Sequence, residues 1–349
     1  MIPYVLSESV RTQGLDKDSM KIIGLIPVRN EEWILSVTIP QLGKYVDQII
    51  CLDAGSVDGT IKILRSYGAE IIDGRAFQND YGMCRQMLLD KGRENNGTHF
   101  VWLDADEAFT SNLRKIFVER LGSMKPGQKL ALQWLCLWKD PKKYRDDGSV
   151  WTNLYKDFVF CDDGIASFNG AAQLHEGRTP GSNENTWISI PKDEGAVLHF
   201  QFVAFERFQM KQAFQRCREL FLGKADPMSL NEKYSITLDD SGAKCKDIPR
   251  EWLEGIGGLE GLRYAGVDWY YPEILNLFEK MGILYFEPLQ IWHVPQLYDE
   301  FIKRVGREPK SLLAYSSSAS KLYSNFRMWI YYHVPRSLKD HIKNAFGRK

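Results

Sequence analysis

Three carboxylates crowd one short stretch of this chain: Asp104, Asp106 and Glu107 follow directly on the apolar run Phe100 to Leu103. Two like charges about 4 Å apart repel by roughly 4 kcal/mol at an effective dielectric near 20, so such a cluster calls for a cation. On an extended backbone, residues two apart leave the same face, and the two aspartates are expected to converge on one hard metal ion. Mg²⁺ or Mn²⁺ held by one or two carboxylates keeps coordination positions open for phosphate oxygens, which is how such ions bind nucleoside diphosphates. A D-x-D triplet is also common as a merely solvated pair at a strand end, so the elements around it have to decide.

Those elements read as a parallel α/β arrangement. From Lys21 onward, apolar runs alternate with helical patterns: KIIGLIPV, a helix after RNEEW, then QIICLDA, DGTIKILRSYG and AEIID. Short β-rich runs bounded by turn residues suit strands buried on both faces. Asp58-Gly59-Thr60 opens one helix and Gly68 closes it, and a further helical stretch covers Asn79 to Asp90. The next strand, HFVWLDAD, carries the acids at its carboxyl end, where open α/β sheets place their ligands. After Lys129 the aromatic-rich segments LALQWLCLW and VWTNLYKDFVF are expected to extend the sheet in antiparallel fashion. Beyond Phe205 the pattern turns helical, and Asp226 to Tyr271 is rich in Gly, Asp and Lys. The domain reading is an N-terminal extension over 1–20, a core over 21–205 and a helical accessory region over 206–349.

Composition narrows the partners. Among 349 residues, 45 Lys and Arg balance 45 Asp and Glu, so no global field steers the chain toward nucleic acid, and a polyanion has to be met locally. The six cysteines have no C-x-x-C pair, which argues against a zinc cluster or disulfide framework and for burial as small hydrophobes in a reducing compartment. The N-terminal residues lack a signal-peptide pattern and no eighteen-residue apolar run is present, so a cytoplasmic protein is expected. Asn96-Gly97-Thr98 is read as a turn rather than a glycosylation acceptor.

Four segments in order, IPVRNEE (26–32), LDAGSVDGT (52–60), FQNDYGMCRQ (77–86) and WLDADE (102–107), together resemble the family 2 glycosyltransferases with a GT-A fold. The resemblance spans roughly residues 21–205. It implies an α/β, Rossmann-like nucleotide-diphospho-sugar transferase core with a mainly helical C-terminal region. The activity it implies is metal-dependent, usually inverting transfer of a sugar from a nucleotide-sugar donor to an acceptor hydroxyl. Carried over by position, it puts Pro27, Arg29 and Glu31 beside the nucleotide and makes Asp53 and Asp58 the base and ribose contacts. Many members have two successive acids where this chain has Asp53-Ala54, which leaves open which carboxylate meets the base. Arg85 matches a basic residue near the diphosphate, Asp104 a ribose or metal contact, and Asp106 the direct Mn²⁺ or Mg²⁺ ligand.

Two histidines stand at expected strand ends, His175 in QLHEG and His199 in VLHFQF. His199 is the more similar to the family's third metal ligand, although a lone histidine is more often structural. Glu176 resembles the general base that takes the proton from the attacking hydroxyl, with Glu107, Asp162 and Asp163 as its rivals. A sugar nucleotidyltransferase would need a Gly-rich, basic loop after the first strand, and PVRNEE stands there instead. A non-catalytic sugar-nucleotide-binding protein is the other alternative, disfavoured by retention of both aspartates and the HEG segment. The tail KLYSNFRMWIYYHVPRSLKDHIKNAFGRK interleaves basic residues with Phe326, Trp329, Tyr331 and Tyr332, which suits either a membrane interface or a helix packed on the core. The acceptor is expected to be a glycan or a lipid-linked glycan, the latter if the tail docks on a membrane.

Overall fold

The structure is a computed structural model that describes residues 20–77, 80–148, 152–168, 177–181, 186–235, 242–262 and 269–310. The chain divides into two units, residues 1–205 with 243–267, and residues 206–242 with 268–349.

The first unit is built on a sheet of nine strands among the described residues. β1 (Ile22–Val28), β2 (Gln48–Asp53), β3 (Glu70–Asp73) and β4 (His99–Trp102) are linked by α1 (Glu32–Leu42), α2 (Thr60–Ser66) and α3 (Tyr81–Glu94). They lie side by side in the order β3-β2-β1-β4, all parallel. This is the Rossmann-like α/β arrangement expected for a GT-A core. Ile23, Leu25, Ile50, Leu52 and Phe100 are fully buried, the reason these strands read as continuous apolar runs rather than alternating ones. Gly24 allows helix α1 to approach β1 closely, since a Cβ there would stand 2.9 Å from Leu42 Cδ2.

Past β4 the sheet changes character. β5 (Glu107–Phe109), α4 (Phe117–Gly122), β6 (Lys129–Cys136), β7 (Lys143–Arg145), β8 (Tyr155–Cys161), β9 (Trp187–Ser189) and β10 (Ala196–His199) follow in the chain. β8 lies antiparallel between β4 and β6, then come β10 and β5, so the antiparallel extension is present. β11 (Cys245–Asp247) pairs with β7. Ile248, Trp252 and Leu259 then pack with Trp33, Leu135, Tyr144 and Phe200. The stretch 243–267, assigned from sequence to the helical accessory region, therefore belongs to the first unit: its spaced apolar residues complete that core. Five cysteines are buried as expected, but Cys245 is exposed on this short strand.

The second unit is helical among the described residues, with α5 (Phe205–Phe221) running into it, then α6 (Pro227–Lys233), α7 (Tyr270–Met281) and α8 (Pro295–Val305). Its core gathers Met210, Cys217, Leu230, Ile274, Phe278, Phe286 and Phe301. No helix among the described residues is long and apolar enough to cross a membrane. The tail from residue 311 onward lies outside the described residues.

Candidate active site

The loops after β1 and β2 are stapled together by side chains that the sequence singles out. Asn30, at φ +55°, donates its backbone N–H to the Ser56 hydroxyl oxygen at 2.9 Å, and its side-chain oxygen accepts from Val57 N at 2.8 Å. Left-handed backbone of this kind is tolerated by asparagine better than by most residues. Asp53, at the end of β2, accepts from Ser56 N at 3.0 and 3.2 Å. Asp58 accepts from Thr60 N at 3.0 Å and from Glu32 N at 3.3 Å, and Glu32 accepts from Gly59 N at 2.5 Å. Glu31 receives the Trp33 indole N–H at 2.8 Å. Pro27 and Arg29, both half-buried, flank the same strand end. The structure thus brings Pro27, Arg29, Glu31, Asp53 and Asp58 to adjacent loops at the carboxyl ends of β1 and β2, the position where doubly wound sheets take nucleotides.

The acids after β4 are arranged differently from the sequence expectation. The strand ends at Trp102 and residues 104–107 form a turn closed by Glu107 N donating to Asp104 O at 3.0 Å. Asp104 and Asp106 therefore do not leave one face of an extended strand: the Asp104 side chain is 51% exposed and that of Asp106 7%. Asp104 Oδ2 meets Arg178 Nη2 at 3.0 Å, whereas Asp106 Oδ2 lies 3.6 Å from Nε2 of His199. The positive group between the crowded acids is Arg178, which sequence reasoning passed over.

Glu107 is the anchor of this arrangement. Its carboxylate accepts from Trp134 Nε1 at 2.6 Å, from Asp104 N at 2.8 Å and from both terminal nitrogens of Arg178. Burial opposes the charge on Arg178, but Asp104 and Glu107 outweigh it and hold the guanidinium above its ordinary pKa. The Trp134 ring stacks on His199 at 4.1 Å and carries Lys156 Nζ at 3.4 Å from its centroid. Desolvation first, then the neighbouring Arg178, push the Lys156 ammonium down to about 8 against the pull of Glu107 and Asp104.

Among the rivals for a general base, Glu107 is saturated as described. Asp162 is locked to Arg93 by bonds of 2.8 and 2.9 Å, and Asp163 caps the backbone N–H groups of Ile165 and Ala166. His175 and Glu176 lie outside the described residues. The chain just beyond them is held at the site from two sides: Arg85 Nη1 donates to Gly177 O at 3.0 Å, and Arg178 reaches the acids. The sequence signal for Arg178 was present, a lone arginine two residues after Glu176 in a chain that needed a cation for its acids.

A divalent ion fits what is here. Asp106 and His199 are both at least 95% buried and present an oxygen and a nitrogen 3.6 Å apart, a gap one ion with ligand distances of about 2.0–2.2 Å can bridge. Among the described residues no group of three or more His, Cys, Asp or Glu side chains is placed to hold a metal ion.

No protein-family model matches the chain, and no curated protein sequence matches it. Solved structures with a local likeness include TarS of S. aureus, 18% identical over 34% of this chain and 22% of that one, with a TM-score of 0.24. Glucosyl-3-phosphoglycerate synthase from Mycobacterium tuberculosis, solved with Mn²⁺ and UDP-glucose, is 24% identical over 34% of this chain and 44% of its own, at a TM-score of 0.24. Mannosyl-3-phosphoglycerate synthase from Rubrobacter xylanophilus gives 19%, 35% and 42%, at 0.26. This chain spans less than half the length of each. Scores of this size carry no weight for function, which rests on the residues themselves.

Proposed function

We propose that this protein is a glycosyltransferase that uses a divalent metal ion and a nucleotide-diphosphate sugar, and that transfer to the acceptor hydroxyl proceeds with inversion at the anomeric carbon. The observation that carries this reading is the buried Asp106–His199 pair, 3.6 Å apart, its aspartate on the turn that follows β4, the strand beside β1. The four motifs resembling family 2 glycosyltransferases support it.

In this reading Asp53 and Asp58, with Pro27, Arg29 and Glu31 around them, hold the nucleoside. Arg85 faces the diphosphate, where a guanidinium can make charge-assisted bonds to phosphate oxygens. Mn²⁺ or Mg²⁺ would be held by Asp106 and His199, with Asp104 beside them. When bound, the ion supplies Lewis-acid charge for the departing diphosphate. Arg178 fixes Asp104 and Glu107, so the loop geometry is set before substrate arrives. Glu176 takes the proton of the acceptor hydroxyl as its oxygen bonds to the sugar C1 and the bond from C1 to the diphosphate breaks. The support for Glu176 is its place two residues before Arg178 and the engagement of Glu107, Asp162 and Asp163 elsewhere.

The acceptor in this proposal is a glycan or lipid-linked glycan, and the basic aromatic tail docks the protein on a membrane surface from the cytoplasmic side; composition alone supports the tail's part. A screen of nucleotide sugars for thermal stabilisation and hydrolysis with Mn²⁺ tests the core of the reading, because a bound donor stabilises by mass action. Stabilisation by at least one donor, abolished by EDTA, is expected. Equal melting with every donor, with and without metal, would refute it.

A further inference from the structure

Lys156 is a cation that the mechanism above does not use. It stands on β8, which pairs antiparallel with β4 as His99–Cys161, Phe100–Phe160 and Val101–Val159. Its ammonium lies on the Trp134 indole, the same ring that donates to Glu107 and stacks on His199. Two other cations of the site have oxygen partners: Arg178 has Asp104 and Glu107, and Arg85 has the Gly177 carbonyl. Among the described residues Lys156 makes neither an ion pair nor a hydrogen bond, and the indole face is its one close partner.

An ammonium carries three N–H donors, and on the half-buried Lys156 partial loss of water with no protein acceptor in its place is costly. Contact with an aromatic face offsets only part of that cost. A lysine kept in this state beside a substrate site is poised for an anion that arrives with the substrate. Topology says which substrate. The nucleotide loops follow β1 and β2, whereas Lys156 and Trp134 stand on β8 and β6, on the far side of β4.

We infer that Lys156 binds an oxyanion carried by the acceptor, a phosphate or carboxylate group, and so selects for an acidic acceptor. This rests on the transferase reading above and adds the chemical class of its second substrate. An acceptor without that group would leave the ammonium unmatched and bind more weakly, the asymmetry by which buried polar groups reject analogues that lack a partner.

The test is calorimetry on the full-length protein with Mn²⁺ and saturating nucleoside diphosphate, taking the tightest binder among UDP, GDP, CDP and ADP so that the diphosphate position is filled. Inorganic phosphate and glucuronate are then titrated as probes of the two anion sources. Wild type is expected to bind at least one of them, Lys156→Met to bind it about 10–100-fold more weakly, and Lys156→Arg to retain it. Nucleoside diphosphate affinity should be the same in all three proteins, which also reports that Lys156→Met is folded. The inference is overturned if wild type binds neither probe or if Lys156→Met binds both as well as wild type. It is likewise overturned if the methionine variant loses nucleoside diphosphate affinity instead, because Lys156 would then be a donor contact. Should wild type bind no nucleoside diphosphate at all, the transferase reading fails by itself, and the same titrations without nucleotide still decide whether Lys156 holds an anion.

Discussion

Arg178 closes a two-toothed bridge onto Glu107, with Nη2 donating to Oε1 at 2.7 Å and Nη1 to Oε2, around a carboxylate whose residue is 1% exposed. The same Nη2 also reaches Asp104, so one guanidinium ties the turn after β4 to the chain that follows Glu176. Removing one partner of a buried pair strands the other's charge, which typically costs about 3–5 kcal/mol. Arg178→Met is expected to lose stability on that scale in urea titration, and adding Glu107→Gln should restore a substantial part, because the stranded charge is then gone. A loss below about 1 kcal/mol in the single variant would show that Glu107 is not held by this pair.

Asp106→Asn keeps the volume of a side chain 7% exposed and removes its charge. The expectation is a folded protein whose stabilisation by Mn²⁺ and nucleoside diphosphate together is lost, measured as the shift in melting temperature. An undiminished shift would remove Asp106 from the metal site.

Glu176→Gln should keep donor affinity and lose about 10²–10⁴-fold in transfer rate, the usual contribution of general-base assistance. Transfer at the parental rate would return the role to Asp162, Asp163 or Glu107. Lost donor binding would instead make Glu176 a binding or structural residue.

His99 bears on acid stability rather than catalysis. It is 7% exposed, between the Thr98 hydroxyl and the Leu121 carbonyl, and desolvation holds its pKa below the ordinary 6.5, partly offset by the bond to Leu121. With the folded value depressed, the unfolded chain takes up the proton first as pH falls. The contribution of neutral His99 is thus complete above about pH 6.5 and shrinks as pH drops toward the folded value. Chemical denaturation between pH 7.5 and 5 should show a steeper loss for wild type than for His99→Gln. Parallel curves would show that folding does not shift the His99 pKa.

The tail supplies the last expectation. Full-length protein should co-sediment with anionic liposomes, less so at high salt, and truncation after Ser320 should reduce it. Equal sedimentation of both forms would leave the tail without a membrane role.

Much of the first unit was legible in the order of residues because it is built from local patterns. The runs at 22–28, 48–53 and 99–102 are apolar throughout since both faces of these strands are covered, and Gly68, at φ +74°, ends its helix where only a flexible backbone can turn. The motifs at 26–32, 52–60 and 102–107 could be read from the sequence because each belongs to one strand end and its following loop. Local pattern failed at the turn over 104–107, where nothing in DADE announces that the strand has stopped; the bond from Glu107 N to Asp104 O and the Trp134 indole, a neighbour only in the folded sheet, decide it. The partner of the acids was illegible for the same reason, since Arg178 lies 71 positions from Glu107 and 74 from Asp104. The sequence by itself determined which strand ends bear the clustered acids and that those carboxylates require positive charge. Only the tertiary structure decided that a guanidinium supplies part of that charge, that Asp106 turns inward to His199, and that Lys156 stands on the Trp134 ring. Those outcomes depend on which distant strands become neighbours in the sheet, and spacing along the chain carries no record of that.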